Sequence, residues 1–137
     1  MTQEHKQLLL KDLCARLPYG VKCDCKHAHA IILTRIDIED LTVYYTDCDE
    51  WEGIEDCKPY LRPMSSMTEK EEQYVLNTWS EDDLNNGIDL MYDNYMMLGY
   101  ASDFIDWLNE HHFDYRGLID KSLAIVAPED MYKYENN

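Results

Sequence analysis

Basic residues are scarce in this chain: 12 lysines and arginines stand against 28 aspartates and glutamates, a formal charge of −16. A field of that sign repels phosphate backbones and anionic lipid, so direct nucleic-acid binding and membrane binding are not expected, while a basic protein surface is attracted. Long apolar runs are lacking as well. Near the N-terminus the longest is Leu8 to Leu10 with charge on both sides, so no secretory leader is read, and nothing approaches the ~18 apolar residues of a membrane span. Cysteine occurs five times (Cys14, Cys23, Cys25, Cys48, Cys57), an odd number that makes no disulfide framework outside a secretory context. Free thiols and a cytoplasmic location are the expectation, in a host cytoplasm if the chain is phage-encoded.

What is present is packing material. Hydrophobic residues make up 45% of the chain, with 11 Tyr and 3 Trp, more than a disordered chain of similar charge carries. At 137 residues one cohesive core and a single domain, 1–137, are expected. The acidity is uneven: residues 1–36 carry six basic against three acidic groups, residues 37–110 three against twenty, and residues 111–137 three against five.

Helical spacing of Leu9, Leu10, Leu13, Cys14 and Leu17 predicts an N-terminal helix from Glu4 to Leu17, stopped by Pro18-Tyr19-Gly20. The period then changes to two. Val21 to Cys25, Ala30 to Ile38 and Leu41 to Thr46 read as three strands of an antiparallel meander, with a turn at Lys26 to His29. Asp47 to Asp56 reads as an acidic loop or hairpin extension, and Ile54 to Leu61 as a short fourth strand or a turn. Ser66 and Glu69 have the spacing of a capping box opening a helix to about Asn77. Apolar residues from Leu84 to Leu108 predict two further helices meeting near Gly99, the second reaching about His112. Arg116 to Ser122 reads as a short helix, and the chain beyond Pro128, from Tyr132 on, as a polar tail. The expected fold class is α+β: a small antiparallel sheet at about residues 20–60, with an N-terminal helix and three to four C-terminal helices packed on one face. The other face is open or buried in a homo-oligomer.

Three segments carry a resemblance: Leu13 to Val21, Lys58 to Thr68 (Lys-Pro-Tyr-Leu-Arg-Pro-Met-Ser-Ser-Met-Thr), and Asp106 to Tyr132 with its Trp-Leu-Asn-Glu-His-His-Phe-Asp-Tyr-Arg-Gly-Leu-Ile string. Together they resemble a family of uncharacterised proteins encoded by gut Bacteroidales genomes and their phages. The resemblance implies a phage or mobile-element origin and brings no activity or cofactor with it.

Chemistry-bearing residues concentrate in three places. Cys23, Cys25, His27 and His29 have metal-ligand character and would share one face of a strand. On a straight strand positions 23 and 29 lie about 20 Å apart, so a turn near Lys26 is needed to close a tetrahedral site; buried thiols and solvent-facing histidines are the plainer reading. Arg62, beside Tyr60 and between two prolines, suits carboxylate or phosphate recognition, and equally an internal ion pair. His111, His112, Tyr115 and Arg116 offer acid–base and anion-binding groups, or else form a helix end packed on the core. No catalytic constellation completes itself. The leading expectation is a non-enzymatic acidic interaction protein that binds a basic host protein. Sequestration of a small anionic ligand such as a nucleotide signal, and a metal-dependent activity at the Cys/His string, stand as alternatives.

Overall fold

The computed structural model describes residues 1–26, 28–79 and 95–132. The first helix, α1 (Gln3–Arg16), opens where the Thr2 hydroxyl accepts a hydrogen bond from the His5 amide at 3.1 Å. It closes through a 3-10 turn at Leu17–Tyr19 into Gly20, whose φ of 70° is the left-handed geometry that glycine adopts without a Cβ penalty. Its buried face holds Leu9, Leu10 and Leu13, as expected, but also Asp12 and Arg16, while Cys14 is exposed.

The strands form two small, mostly antiparallel sheets where the sequence suggested one. In the first, β1 (Lys22–Asp24) pairs antiparallel with β2 (Ile31–Ile32) and with β6 (Lys58–Leu61), and β7 (Ile125–Val126) adds in parallel to β6. In the second, β3 (Arg35–Asp37), β4 (Thr42–Tyr45) and β5 (Glu50–Gly53) form an antiparallel meander. The apolar run from Ala30 to Ile38 is therefore two strands. Leu33 donates to the Val21 carbonyl in the first sheet and Thr34 to the Tyr44 carbonyl in the second, so the chain changes sheets between adjacent residues.

Among the described residues there are three α-helices, two of them after Ser66 where three to four were expected. The helix α2 (Glu69–Thr78) has a capping box made by Thr68 and Glu71 in place of Ser66 and Glu69. The helix α3 (Tyr95–Glu110) runs through Gly99 without the expected break. A lone glycine costs a helix only about 1 kcal/mol relative to alanine, and Trp107 and Leu108 bury apolar surface farther along the same helix. The part of the expected helical region from Asp82 to residue 94 lies outside the described residues. Arg116 to Ser122 forms turns, not a helix, because Gly117 and Ser122 adopt φ of 77° and 60°. Nor is the segment after Val126 a tail as far as Tyr132: the Tyr132 hydroxyl donates to the Tyr60 carbonyl and accepts from the Lys22 amide, both at 2.8 Å.

Two apolar clusters result. Leu9 and Leu13 of α1 pack with Val21, Cys23, Val43, Tyr45 and Leu61 of the sheets. Val75, Trp79, Trp107, Leu108 and Phe113 make a second, aromatic cluster between α2 and α3. Among the described residues no helix is long and apolar enough to cross a membrane.

Candidate functional site

Three segments far apart in sequence, around Arg16, Arg62 and Phe113, meet in space. Arg62 at the end of β6 donates its amide to the His112 carbonyl and accepts from the Asp114 amide, both at 2.8 Å, forming a parallel bridge to Phe113. Arg16 of α1 reaches the same place, donating from Nη2 to the Phe113 carbonyl at 2.6 Å. The convergence is a scaffold, and its charged groups are mutually engaged.

Arg62 makes a bidentate pair with Glu71 at 2.8 and 2.6 Å, and its guanidinium lies 4.1 Å from the Phe113 ring centroid. Burial works to raise the Glu71 carboxyl, but the Arg62 guanidinium and the Thr68 donors outweigh it and hold the group below its usual range. Arg116 donates to Asp12 Oδ1 at 2.8 Å and stacks 4.5 Å from the Tyr115 ring centroid. Asp12 also accepts from Arg16 Nε at 2.9 Å and Nη2 at 3.1 Å. Asp12 and Arg16 are completely buried. One carboxylate thus sits between two guanidiniums, and Arg62 and Arg116 share no site: each faces its own acid.

The two histidines separate. His111 stacks on Trp107 at 4.3 Å and its Nδ1 lies 3.0 Å from the Trp107 carbonyl oxygen. His112 is buried, stacks on Tyr132 at 4.0 Å, and is pushed down to about 3 by burial, with the nearby Arg16 charge adding to the effect. It is therefore neutral at physiological pH. The Tyr115 hydroxyl donates to Asn109 Oδ1 at 2.9 Å. Tyr60 lies near Asp24, and burial followed by that carboxylate raises its phenol.

Of the Cys/His string, Cys23 and Cys25 point into the core. Burial first, then the adjoining Cys57 thiol, pushes Cys23 well above its ordinary value, so it stays a neutral thiol. His29 is exposed and pairs with Asp24, away from the thiols. His27 lies outside the described residues. Among the described residues no group of three or more His, Cys, Asp or Glu stands close enough to hold a metal ion. Beside the thiols, the buried Tyr45 hydroxyl donates to Glu52 Oε1 at 2.9 Å, and burial keeps that phenol protonated.

Two cavities accompany these groups. One, of about 360 Å³, is lined by Arg62, Ser66, Thr68, Pro128 and Tyr132 among others. The other, of about 370 Å³, opens between α2 and α3 and is lined by Tyr74, Trp79 and Trp107 together with Asp103, Asp106 and Glu110. Sequence reasoning named none of the residues lining the second as a site residue. Its one sequence signal was the spacing of Asp103, Asp106 and Glu110 on a helix without a single basic residue.

Comparison with known proteins found no match to a family model, a curated protein or a solved structure.

Proposed function

We propose that this protein is a non-enzymatic binding protein that presents exposed carboxylates to a basic surface of a partner protein. In the setting that the sequence resemblance implies, the partner is a host factor met by a phage or mobile-element accessory. One observation carries the reading. Most of the carboxylates described between Asp37 and Glu110 are exposed. Lysine and arginine pairs take up Asp56 and Glu71 of that region, while Asp47, Glu50, Asp103 and Asp106 have none among the described residues. Exposed carboxylates without internal counter-charge attract a basic surface at long range and are screened by salt. Affinity capture from host lysate at graded ionic strength tests this. A basic protein retained at low salt and released as salt rises is expected; nothing retained at any ionic strength contradicts it.

A second reading, sequestration of a small anionic ligand, has the cavity beside Arg62 in its favour. Against it, both Nη atoms of Arg62 are engaged by Glu71, and Arg116 is held elsewhere by Asp12. Thermal shift with a nucleotide panel separates the two readings, since a ligand at a hundred times its dissociation constant adds ~2.7 kcal/mol of stability. No shift with any nucleotide removes the second.

A further inference from the structure

We infer that the groove between α2 and α3 receives an arginine side chain from the basic partner; this rests on the binding reading above and names its point of contact. The groove has an aromatic floor and an acidic rim. Trp79 and Trp107 are nearly buried, whereas Tyr74 is 50% exposed. The Tyr74 ring is not loose: it stacks on Trp107 at 5.8 Å and meets Trp79 edge-on at 5.9 Å. A ring fixed on one side and open to water on the other is a platform for a flat cation.

The rim supplies the charge. Asp103 and Asp106 are three apart on α3 and Glu110 is four further on, so all three occupy one stripe. Like charges at that spacing repel one another, and those in the last turns also face the negative end of the helix dipole. Asp103 and Asp106 have no lysine or arginine partner among the described residues. The stripe thus weakens α3 in isolation, and a cation entering the groove relieves it. None of the described residues lining the cavity is basic.

Charge alone admits lysine or arginine, and the shape of the groove separates them. A guanidinium is planar, stacks on a ring face and donates in a fork to carboxylates, while an ammonium is a compact, strongly hydrated point charge. Tyr74 with Asp103 and Asp106 offers what the guanidinium can use and the ammonium cannot.

The test is calorimetric titration of the full chain with three short basic peptides that differ only in a central Arg, Lys or Gln. The Arg peptide is expected to bind about three- to fivefold more tightly than the Lys peptide, with Gln weakest. The double variant Asp103→Asn/Asp106→Asn is expected to weaken the Arg peptide about tenfold while raising the melting temperature, so the loss cannot be read as unfolding. Tyr74→Leu removes the preference for Arg over Lys. As a control, Asp120→Asn/Asp130→Asn, exposed carboxylates outside the 37–110 region, leaves the preference and the affinity nearly unchanged. Equal losses from the control and groove variants, or no difference between Arg and Lys, overturn the groove and leave a diffuse acidic surface. Binding of free argininamide as tight as the peptide makes it a small-cation site and overturns the protein contact. Failure of every basic peptide to bind, at low salt as well as high, removes the groove and the binding reading together.

Discussion

Asp12 ties the N-terminal helix to the segment after α3. It accepts from Arg16 on its own helix and from Arg116 more than a hundred residues later, and Arg16 goes on to the Phe113 carbonyl. Replacing such a carboxylate leaves a guanidinium buried without its counter-charge. Asp12→Asn is therefore expected to cost about 3–5 kcal/mol, read as a fall in the denaturation midpoint at constant slope. A loss within about 0.5 kcal/mol, the size expected at an ordinary surface site, contradicts the role given to Asp12. The same surplus of positive charge bears on His112. Its folded pKa of about 3 lies below the 6.5 of an unfolded histidine, so the unfolded chain takes up the proton first. The stabilisation by neutral His112 is complete above about pH 6.5 and is lost as pH falls toward 3. Glu71, also held low, adds its own loss only below its unfolded value of 4.5. Stability measured between those two values should thus decline with acid in the parent and decline less in His112→Asn, which keeps a residue tolerant of the left-handed backbone at that position. Parallel pH curves for the two proteins contradict the assignment.

At the scale of elements, the end of α3 shows why His112 is there. Phe113 donates to the Leu108 carbonyl at 2.9 Å and His112 to the Asn109 carbonyl at 3.1 Å, a Schellman closure with His112 at φ 60° in the place usually taken by glycine. Phe113 and Leu108 then pack together in the aromatic cluster, the apolar contact that accompanies this cap. The imidazole held in that strained position lies under Tyr132, whose hydroxyl clasps β1 to β6. Tyr132→Phe should cost about 1–3 kcal/mol, because it leaves a backbone donor and acceptor unsatisfied, and should speed hydrogen exchange at the Lys22 amide. Unchanged exchange there contradicts the clasp.

These elements also show what the sequence could convey. The helix at the N-terminus, the strand at Thr42–Tyr45 and the helix after Ser66 follow from local period and capping chemistry. The capping box was shifted by two residues because Ser66 and Thr68 both have an acid three positions on, and Ser66 instead donates its hydroxyl to the Pro63 carbonyl at 2.6 Å. The change of sheet at Leu33–Thr34 and the two-residue β7 leave no local trace, since both are decided by partners far along the chain. The internal pairing of Arg62 was anticipated as a type of contact, but its partner Glu71 was not. Asp12 and Arg16 escaped notice because an i, i+4 ion pair normally marks the solvated side of a helix, and here it is buried.

For the molecule as a whole, three arginines of the scaffold are spent on internal carboxylates. Arg16, Arg62 and Arg116 each answer a carboxylate, and Lys26 answers Asp56. Asp47 and Glu50 of the β4–β5 hairpin, Glu72 of α2, and Asp103 and Asp106 of α3 face outward without such a partner among the described residues. A surface of this kind keeps a protein soluble wherever it lies; recognition requires that one part of it matter more than the rest. The most direct measurement is the dissociation constant of the arginine-bearing peptide as salt is varied, for the parent chain and for Asp103→Asn/Asp106→Asn. A shallower salt dependence in the variant, the two curves converging at high salt, is the predicted result. Two superimposed curves would show that the α2–α3 carboxylates have no special part in binding.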